Sequence, residues 1–387
     1  MDETVSGSAH KRSKSGFTYL KNLTRKPSSI LSSQDPHNPA QVILDAAKAS
    51  LKCCLNLHEV TIILHDHAPT PSFTTFLNSQ WASKSIGANL RRLSIDTTAA
   101  KMPLLLKPLV RNASTLTNLE EVDLGFAVSR FVPTQTERFL ASQALTSFFY
   151  TFRRALTSLT LSSSIIFDLA SLFESFPRFS KLKKLELLII FNVQTFSHTG
   201  YLSQFIAKHE LTLEHLIIKP RPRHVSFEHS DDTYSVWLYH GNTQASEELV
   251  SFSQLRLPKL RTLEVGLRDM RHHWSEVSSR PVLAKLASIT PNLTSLILTD
   301  VFLNFERLSY ILAGLARVEG VIALERFEFY ADLLSALIFD LLAKDLTRLH
   351  SLAINYSVLS SIAPARNASL MCQEKVRKVI ELCITIT

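Results

Sequence analysis

The sequence predicts an α/β solenoid of about ten or eleven irregular repeats, with a curved parallel sheet inside and helices outside. Three observations predict it. A beat of the form L-x-x-L-x-L recurs along the chain, successive beats are separated by a fairly even step, and a stretch with helical apolar spacing lies before nearly every beat. Alternating apolar residues over a short run specify a half-buried strand, and apolar residues at i, i+3 and i+4 specify an amphipathic helix. One strand–helix unit cannot bury its leucines alone, whereas stacked units share a continuous core.

In chain order the beats are LHEVTI from Leu57, LRRLSI from Leu90, LEEVDL from Leu119, LTSLTL from Leu156, LKKLEL from Leu182 and LEHLII from Leu213. LRTLEV from Leu260, LTSLIL from Leu293, LERFEF from Leu324 and LHSLAI from Leu349 follow, and VIELCI from Val379 is a weaker eleventh. The steps between first leucines are 33, 29, 37, 26, 31, 47, 33, 31 and 25 residues, a period in the range of solenoid repeats. QVILDAAKASL, LLLKPLVRNAS, LSYILAGLARV and LLSALIFDLLAK are among the helix-period stretches between them. In KLKKLELLII (181–190), Leu182, Leu185 and Leu187 should point into the core while Lys184 and Glu186 face solvent, because strand side chains alternate between faces.

The composition fits a folding chain: 45% of the 387 residues are hydrophobic and 20% charged. Only nine glycines occur, and neither G-x-G-x-x-G nor G-x-x-x-x-G-K-[ST] is present, which argues against nucleotide binding. No apolar run approaches the roughly 20 residues that span a bilayer, and the polar opening MDETVSGSAHKRSKSG does not read as a secretory signal. Cys53, Cys54, Cys372 and Cys383 lack zinc spacing and read as free thiols. A cytoplasmic or nuclear location follows.

Residues 1–38 read as a flexible basic arm, with Lys11, Arg12, Lys14, Lys21, Arg25 and Lys26 and no acid between His10 and Lys26. A solvated tail, a nuclear signal at HKRSK and phosphorylation at Ser28 or Ser29 all fit it. The solenoid is expected over 39–387.

The ladder of beats resembles the leucine-rich repeat family, and its long irregular repeats are similar to those of fungal F-box leucine-rich proteins. The resemblance covers roughly residues 40–387. It implies a protein-binding module or, as the alternative, a substrate receptor of a cullin-type ubiquitin ligase with a divergent or missing F-box. The family's asparagine after L-x-x-L-x-L is replaced here by Thr98, Ala127, Ile190, Arg268 and Ser357, so the hydrogen bonding of that turn must be met otherwise. No L-P-x-E-[IL]-type F-box opening precedes the repeats.

Catalytic residues do not assemble. G-x-S-x-G is absent, and no Ser or Cys is tied to a His and a carboxylate. HDH (65–67) sets two imidazoles at i, i+2 without an identifiable third ligand, and RHHW (271–274) is similar. No enzyme, cofactor or metal site is expected.

Binding is the better lead. The third, fifth and seventh residues of each beat should project from the concave face, about 45 Å long for ten strands about 4.8 Å apart. Arg92, Lys184, Lys219 and Arg326 lie there against Glu59, Asp96, Glu121, Asp123, Glu186, Glu264 and Glu328. That is three net negative charges on a chain of net +8. Nucleic acid needs clustered Lys and Arg on the binding face, so the partner expected is a protein or peptide with basic residues. The 47-residue step also holds KPRPRHVSFEHSDDTYSVWLYHGN, expected as a β-hairpin insertion near 220–243. It would offer Arg221, Arg223, Tyr234, Trp237 and Tyr239 to a partner, unless Trp237 folds back onto a neighbouring repeat.

Overall fold

The structure is a computed structural model that describes residues 39–52, 54, 56–65, 69–127, 132–192, 194–220, 233–239, 252–267, 286–316, 322–359 and 382–385. The chain divides into two compact units, Met1–Cys54 and Leu55–Thr387. The first contains helix α1 (Pro39–Lys52), formed by the expected QVILDAAKASL stretch. The basic arm lies outside the described residues.

The second unit is the solenoid. Its strands are β1 (Glu59–Leu64), β2 (Arg92–Thr97), β3 (Glu121–Phe126), β4 (Ser158–Ser163), β5 (Lys184–Ile189) and β6 (His215–Pro220). Then come β7 (Thr262–Gly266), β8 (Ser295–Leu303), β9 (Arg326–Leu334), β10 (Ser351–Leu359) and β11 (Leu382–Thr385). They form one open sheet in chain order. The first ten are parallel, and each begins at the third residue of a beat. The helices between them include α2 (Pro71–Trp81), α3 (Lys84–Gly87), α4 (Met102–Arg111), α5 (Gln135–Phe152), α6 (Leu169–Ser175) and α7 (Gly200–Ala207). Beyond β6 come α8 (Thr233–Tyr239), α9 (Leu286–Ile289), α10 (Phe305–Leu315) and α11 (Ala336–Asp345).

A repeated hydrogen-bond device stacks the beats. At every parallel junction the carbonyl of a beat's second residue accepts two N–H groups from the next beat. It begins with His58 O taking Arg91 N and Arg92 N, both at 2.9 Å, and ends with Glu325 O taking His350 N at 2.8 Å and Ser351 N at 3.0 Å. Polar side chains at or just past the ends of three strands bond the backbone locally. Thr97 donates to Leu64 O of the preceding beat at 2.7 Å, and Ser163 donates to Ile165 O at 2.8 Å. Asn192, two residues past Ile190, accepts from Thr195 N at 2.8 Å.

Strand alternation sorts the residues. Leu182, Leu185 and Leu187 are fully buried, and a single core joins the first, fourth and sixth beat positions to the helices. The core is rich in aromatics: Phe149 meets Phe176 at 4.6 Å and Phe173 meets Phe205 at 5.2 Å between ring centres. Burying each such side chain contributes about 2 kcal/mol.

Two expectations are corrected. TYSVWLYH does not supply a hairpin strand: residues Thr233–Tyr239 are helix α8. Tyr234, Trp237 and Leu238 stand at i, i+3 and i+4, the helical period, and all three are buried. They fill the helix layer between β6 and β7, where Trp237 packs on Phe191 at 5.3 Å and Phe252 at 5.2 Å. Its indole N–H donates to Ser203 Oγ at 2.8 Å, as a buried Trp requires. The second correction concerns VIELCI. Its strand β11 runs antiparallel to β10, pairing Leu352 with Ile384, so it is a returning edge strand rather than an eleventh parallel repeat. A parallel strand requires a crossover; an antiparallel one does not.

Candidate protein-binding face

The face of the sheet turned away from the core carries the third, fifth and seventh residues of each beat, and the strand register aligns them into rows. The first row runs Glu59, Arg92, Glu121, Ser158, Lys184 and on to Arg326 and Ser351. The second runs Asp123, Thr160, Glu186, Ile217, Glu264, Ile297 and Glu328. Glu121, Asp123, Lys184, Glu186, Glu264, Arg326 and Glu328 therefore all project from one surface. Tyr234 and Trp237 do not; they lie in the core on the other side of the sheet. Tyr239 ends α8, and Arg221 and Arg223 lie outside the described residues.

Most of the face is internally neutralised. Lys184 holds Glu186 at 2.9 Å, Arg326 holds Glu328 at 3.2 Å, and Lys219 pairs with Glu264. Arg92 is shared between Glu59 at 3.7 Å and Glu121 at 3.9 Å. At the third, fifth and seventh beat positions the charges of β5–β9 cancel, so the three-charge surplus counted at those positions falls on β1–β3, while Asp300 and Asp332 add carboxylates farther along β8 and β9. His65 Nε2 meets Asp96 Oδ2 at 3.0 Å at that end. His67 and the RHHW motif lie outside the described residues, and among those described no three His, Cys, Asp or Glu side chains are grouped to hold a metal.

Between the acidic strands and β5 the face sinks into a trough of about 510 Å³. The cause is local sequence. The outward residues of β4 are Ser158, Thr160 and Ser162, and among the described strands only β4 presents hydroxyls at all three positions. Short side chains make the floor; Glu121 and Asp123 on β3 form one bank, and Lys184, Glu186 and Leu188 on β5 form the other.

Asp123 is the distinctive group of this trough. Its only described hydrogen bond is from Ser94 Oγ at 3.3 Å, and no described cation lies within 4.0 Å of it. Burial raises its carboxyl above the ordinary aspartate value, with Glu186 and Asp96 adding to the rise and the Ser94 hydrogen bond and Arg92 opposing it. Beside it, Gly125 is required by close approach: a Cβ there would come within 2.7 Å of Asp96 Oδ1 and 3.1 Å of Ser162 Oγ. The charge pattern of the beats marks the face as a whole; the run of small residues in SLTLSS between two charged beats is the signal that locates the trough.

At the far end of the face, β8 bulges between Ile297 and Phe302. Asp300 takes a positive φ of 73° there, a conformation that aspartate tolerates better than most residues. Its carboxylate crowds the space a Cβ would need at Gly266. The Tyr330 hydroxyl is pushed above the usual phenol value, mainly by burial and then by Glu328 and Asp300.

No protein-family model matches the chain, and no curated protein sequence matches it. The chain is similar to a solved structure described as the crystal structure of Rad7 and Elc1 complex in yeast, with 13% sequence identity, coverage of 84% of this chain and 85% of that chain, and a TM-score of 0.35. Among the described residues no helix is long and apolar enough to cross a membrane.

Proposed function

We propose that this chain is a non-enzymatic interaction scaffold that binds a protein partner on the outward face of its sheet. The observation that carries this is the face itself: ten parallel strands in register, with ordered rows of charge and no described helix packed over them. Solenoids use such extended sheet surfaces for partners. The negative surplus on β1–β3 favours a partner with basic residues at that end, by charge complementarity.

The test is affinity capture from native cell extract with the full chain and with a Glu121→Lys, Asp123→Lys variant. Both substitutions replace outward side chains and leave the leucine core untouched, so circular dichroism should be unchanged. A protein recovered with the native chain and lost with the variant is the expected result. Retention of the same partners by the variant at low ionic strength would refute binding through this end of the face. The ligase-receptor alternative separates in the same experiment, because it requires a cullin adaptor among the captured proteins.

A further inference from the structure

Resting on that reading, we infer that the trough over β4 takes an extended segment of the protein partner bearing an arginine or lysine, with an acidic residue about three positions away. The cation would lie against Asp123 and the acid against Lys183 and Lys184. Four features of the trough fit this occupant.

The first is that the trough is a real depression, about 510 Å³, on a surface whose other charged residues stand in paired rows. The second is Asp123. Every other carboxylate at the third, fifth and seventh beat positions has a described basic group within 4.0 Å, whereas Asp123 has a serine hydroxyl. A carboxylate that is part-buried without a cation is satisfied best by a cation brought to it, because removal from water strengthens the pairing. Arg92 does not fill this role, being engaged between Glu59 and Glu121.

Third, the floor is chemically suited to a cationic head group. The hydroxyls of Thr160 and Ser162 can each accept a hydrogen bond, and both line the trough with Asp123. A guanidinium or ammonium has three or more donors, more than one carboxylate can take, so acceptors beside the carboxylate matter. Fourth, the opposite bank carries two lysines beside Glu186. Lys183 and Lys184 both line the trough. Lys183 holds Glu214 at 3.1 Å and Lys184 holds Glu186 at 2.9 Å. Each ammonium has three donors, so each can serve a second acceptor.

These banks are two strands apart, about 9.6 Å at the usual strand spacing. An extended chain advances about 3.3 Å per residue, so a segment crossing the strands covers that gap in three residues. This sets the spacing of the basic and acidic residues in the partner. Leu188, at the β5 end of the trough, offers an apolar contact to a residue alongside.

The experiment is selection of a displayed random dodecapeptide library against the full chain. The affinities of the enriched peptides, made synthetically, are then measured for the native chain and for the Asp123→Asn, Thr160→Arg and Glu264→Lys variants. The expected outcome is enrichment of peptides with Arg or Lys about three residues from Asp or Glu. Their affinity should fall at least tenfold with Asp123→Asn and with Thr160→Arg, which fills the floor, and little with Glu264→Lys, which lies outside the trough. Thermal melting confirms that each variant is folded. Enriched peptides without a basic residue, or affinities indifferent to both trough variants, would overturn the inference. If binding is instead lost only with Glu264→Lys, the face still binds protein and the trough assignment alone fails. Enrichment of no peptide also overturns the trough assignment, and capture from extract then decides the broader reading separately.

Discussion

Two regions of this molecule offer themselves as binding surfaces from residue types alone: the Tyr234–Trp237 segment, the stronger of the two on aromatic content, and the Glu121–Asp123 pair. The structure places them on opposite sides of the sheet. Trp237 is 2% exposed, packed among Phe191, Tyr234 and Phe252. Asp123 faces outward above a trough. The difference teaches which signal to follow. Aromatic content marks interfaces and cores alike, whereas position within the strand alternation decides the face on which a side chain emerges. Asp123 has a defined position in a beat; Trp237 lies between beats, where only composition speaks.

The sharpest way to separate the two regions is to delete a side chain from each. Trp237→Ala removes a buried indole and leaves the Ser203 hydroxyl without its donor. A loss of about 3–5 kcal/mol is expected, read as a lower urea midpoint, with partner affinity per folded molecule unchanged. Should the variant keep its stability and lose its partner, the core assignment of Trp237 would be wrong.

A second test exploits the same core through protonation. His209 is 1% exposed; its Nε2 accepts from Phe179 N at 2.9 Å and its Nδ1 donates to Phe205 O at 2.8 Å, so the neutral ring fills both roles. Burial lowers its pKa from 6.5 to about 4, with Arg178 and Lys208 lowering it further and the Phe205 hydrogen bond opposing them. The unfolded chain therefore takes up the proton first. The stability contribution of neutral His209 is complete above pH 6.5 and falls as the pH drops from 6.5 towards about 4. At about 1.4 kcal/mol per unit the loss is about 3 kcal/mol. Urea midpoints across this window should show a fall that His209→Gln reduces. An identical pH profile for both would show that His209 is not the group responsible.

Much of this architecture was legible beforehand, and the reasons for success and failure are physical. All ten strong beats became strands because L-x-x-L-x-L encodes both the two-residue period and the buried leading leucine, from Leu90 to Leu324. Helix α8 was missed because seven residues hold barely two turns, and Tyr, Val and Trp also favour strands. The direction of β11 has no signature in a four-residue strand. The trough depended on what β4 lacks. Three short hydroxyl residues acquire meaning only when the register sets them between Glu121 and Asp123 on one side and Lys184 and Glu186 on the other.

On the open face the expected effects are smaller, and one has the opposite sign. Asp123 has a raised pKa, so its folded form holds a proton more tightly than the unfolded chain. Its favourable contribution is present below the ordinary aspartate pKa and is lost as the pH rises through the folded value. Asp123→Asn should then stabilise the protein slightly at pH 7 and show no advantage near pH 3. Combined with the loss of peptide affinity expected above, this would identify a residue that binding uses at the expense of stability. A destabilised Asp123→Asn at pH 7 would mean that the carboxylate holds the strands together instead.

The smallest effect belongs to the neutralised half of the face. Arg326 and Glu328 sit two residues apart on β9 with their charged ends 3.2 Å apart, and the arginine side chain is 54% exposed. A solvent-exposed pair of this kind gains little, because water screens the attraction and two long side chains lose freedom in holding it. Arg326→Ala should therefore change stability by less than about 0.5 kcal/mol, and added salt should shrink even that. It does leave Glu328 unpaired at the far end of the face, extending the negative surplus beyond β1–β3. A basic peptide held at the trough should then gain little or nothing, since β9 lies four strands from β5, about 19 Å away and beyond the screening length of physiological salt. A marked gain in peptide affinity with Arg326→Ala would show that the bound segment runs the length of the sheet rather than crossing it at β4.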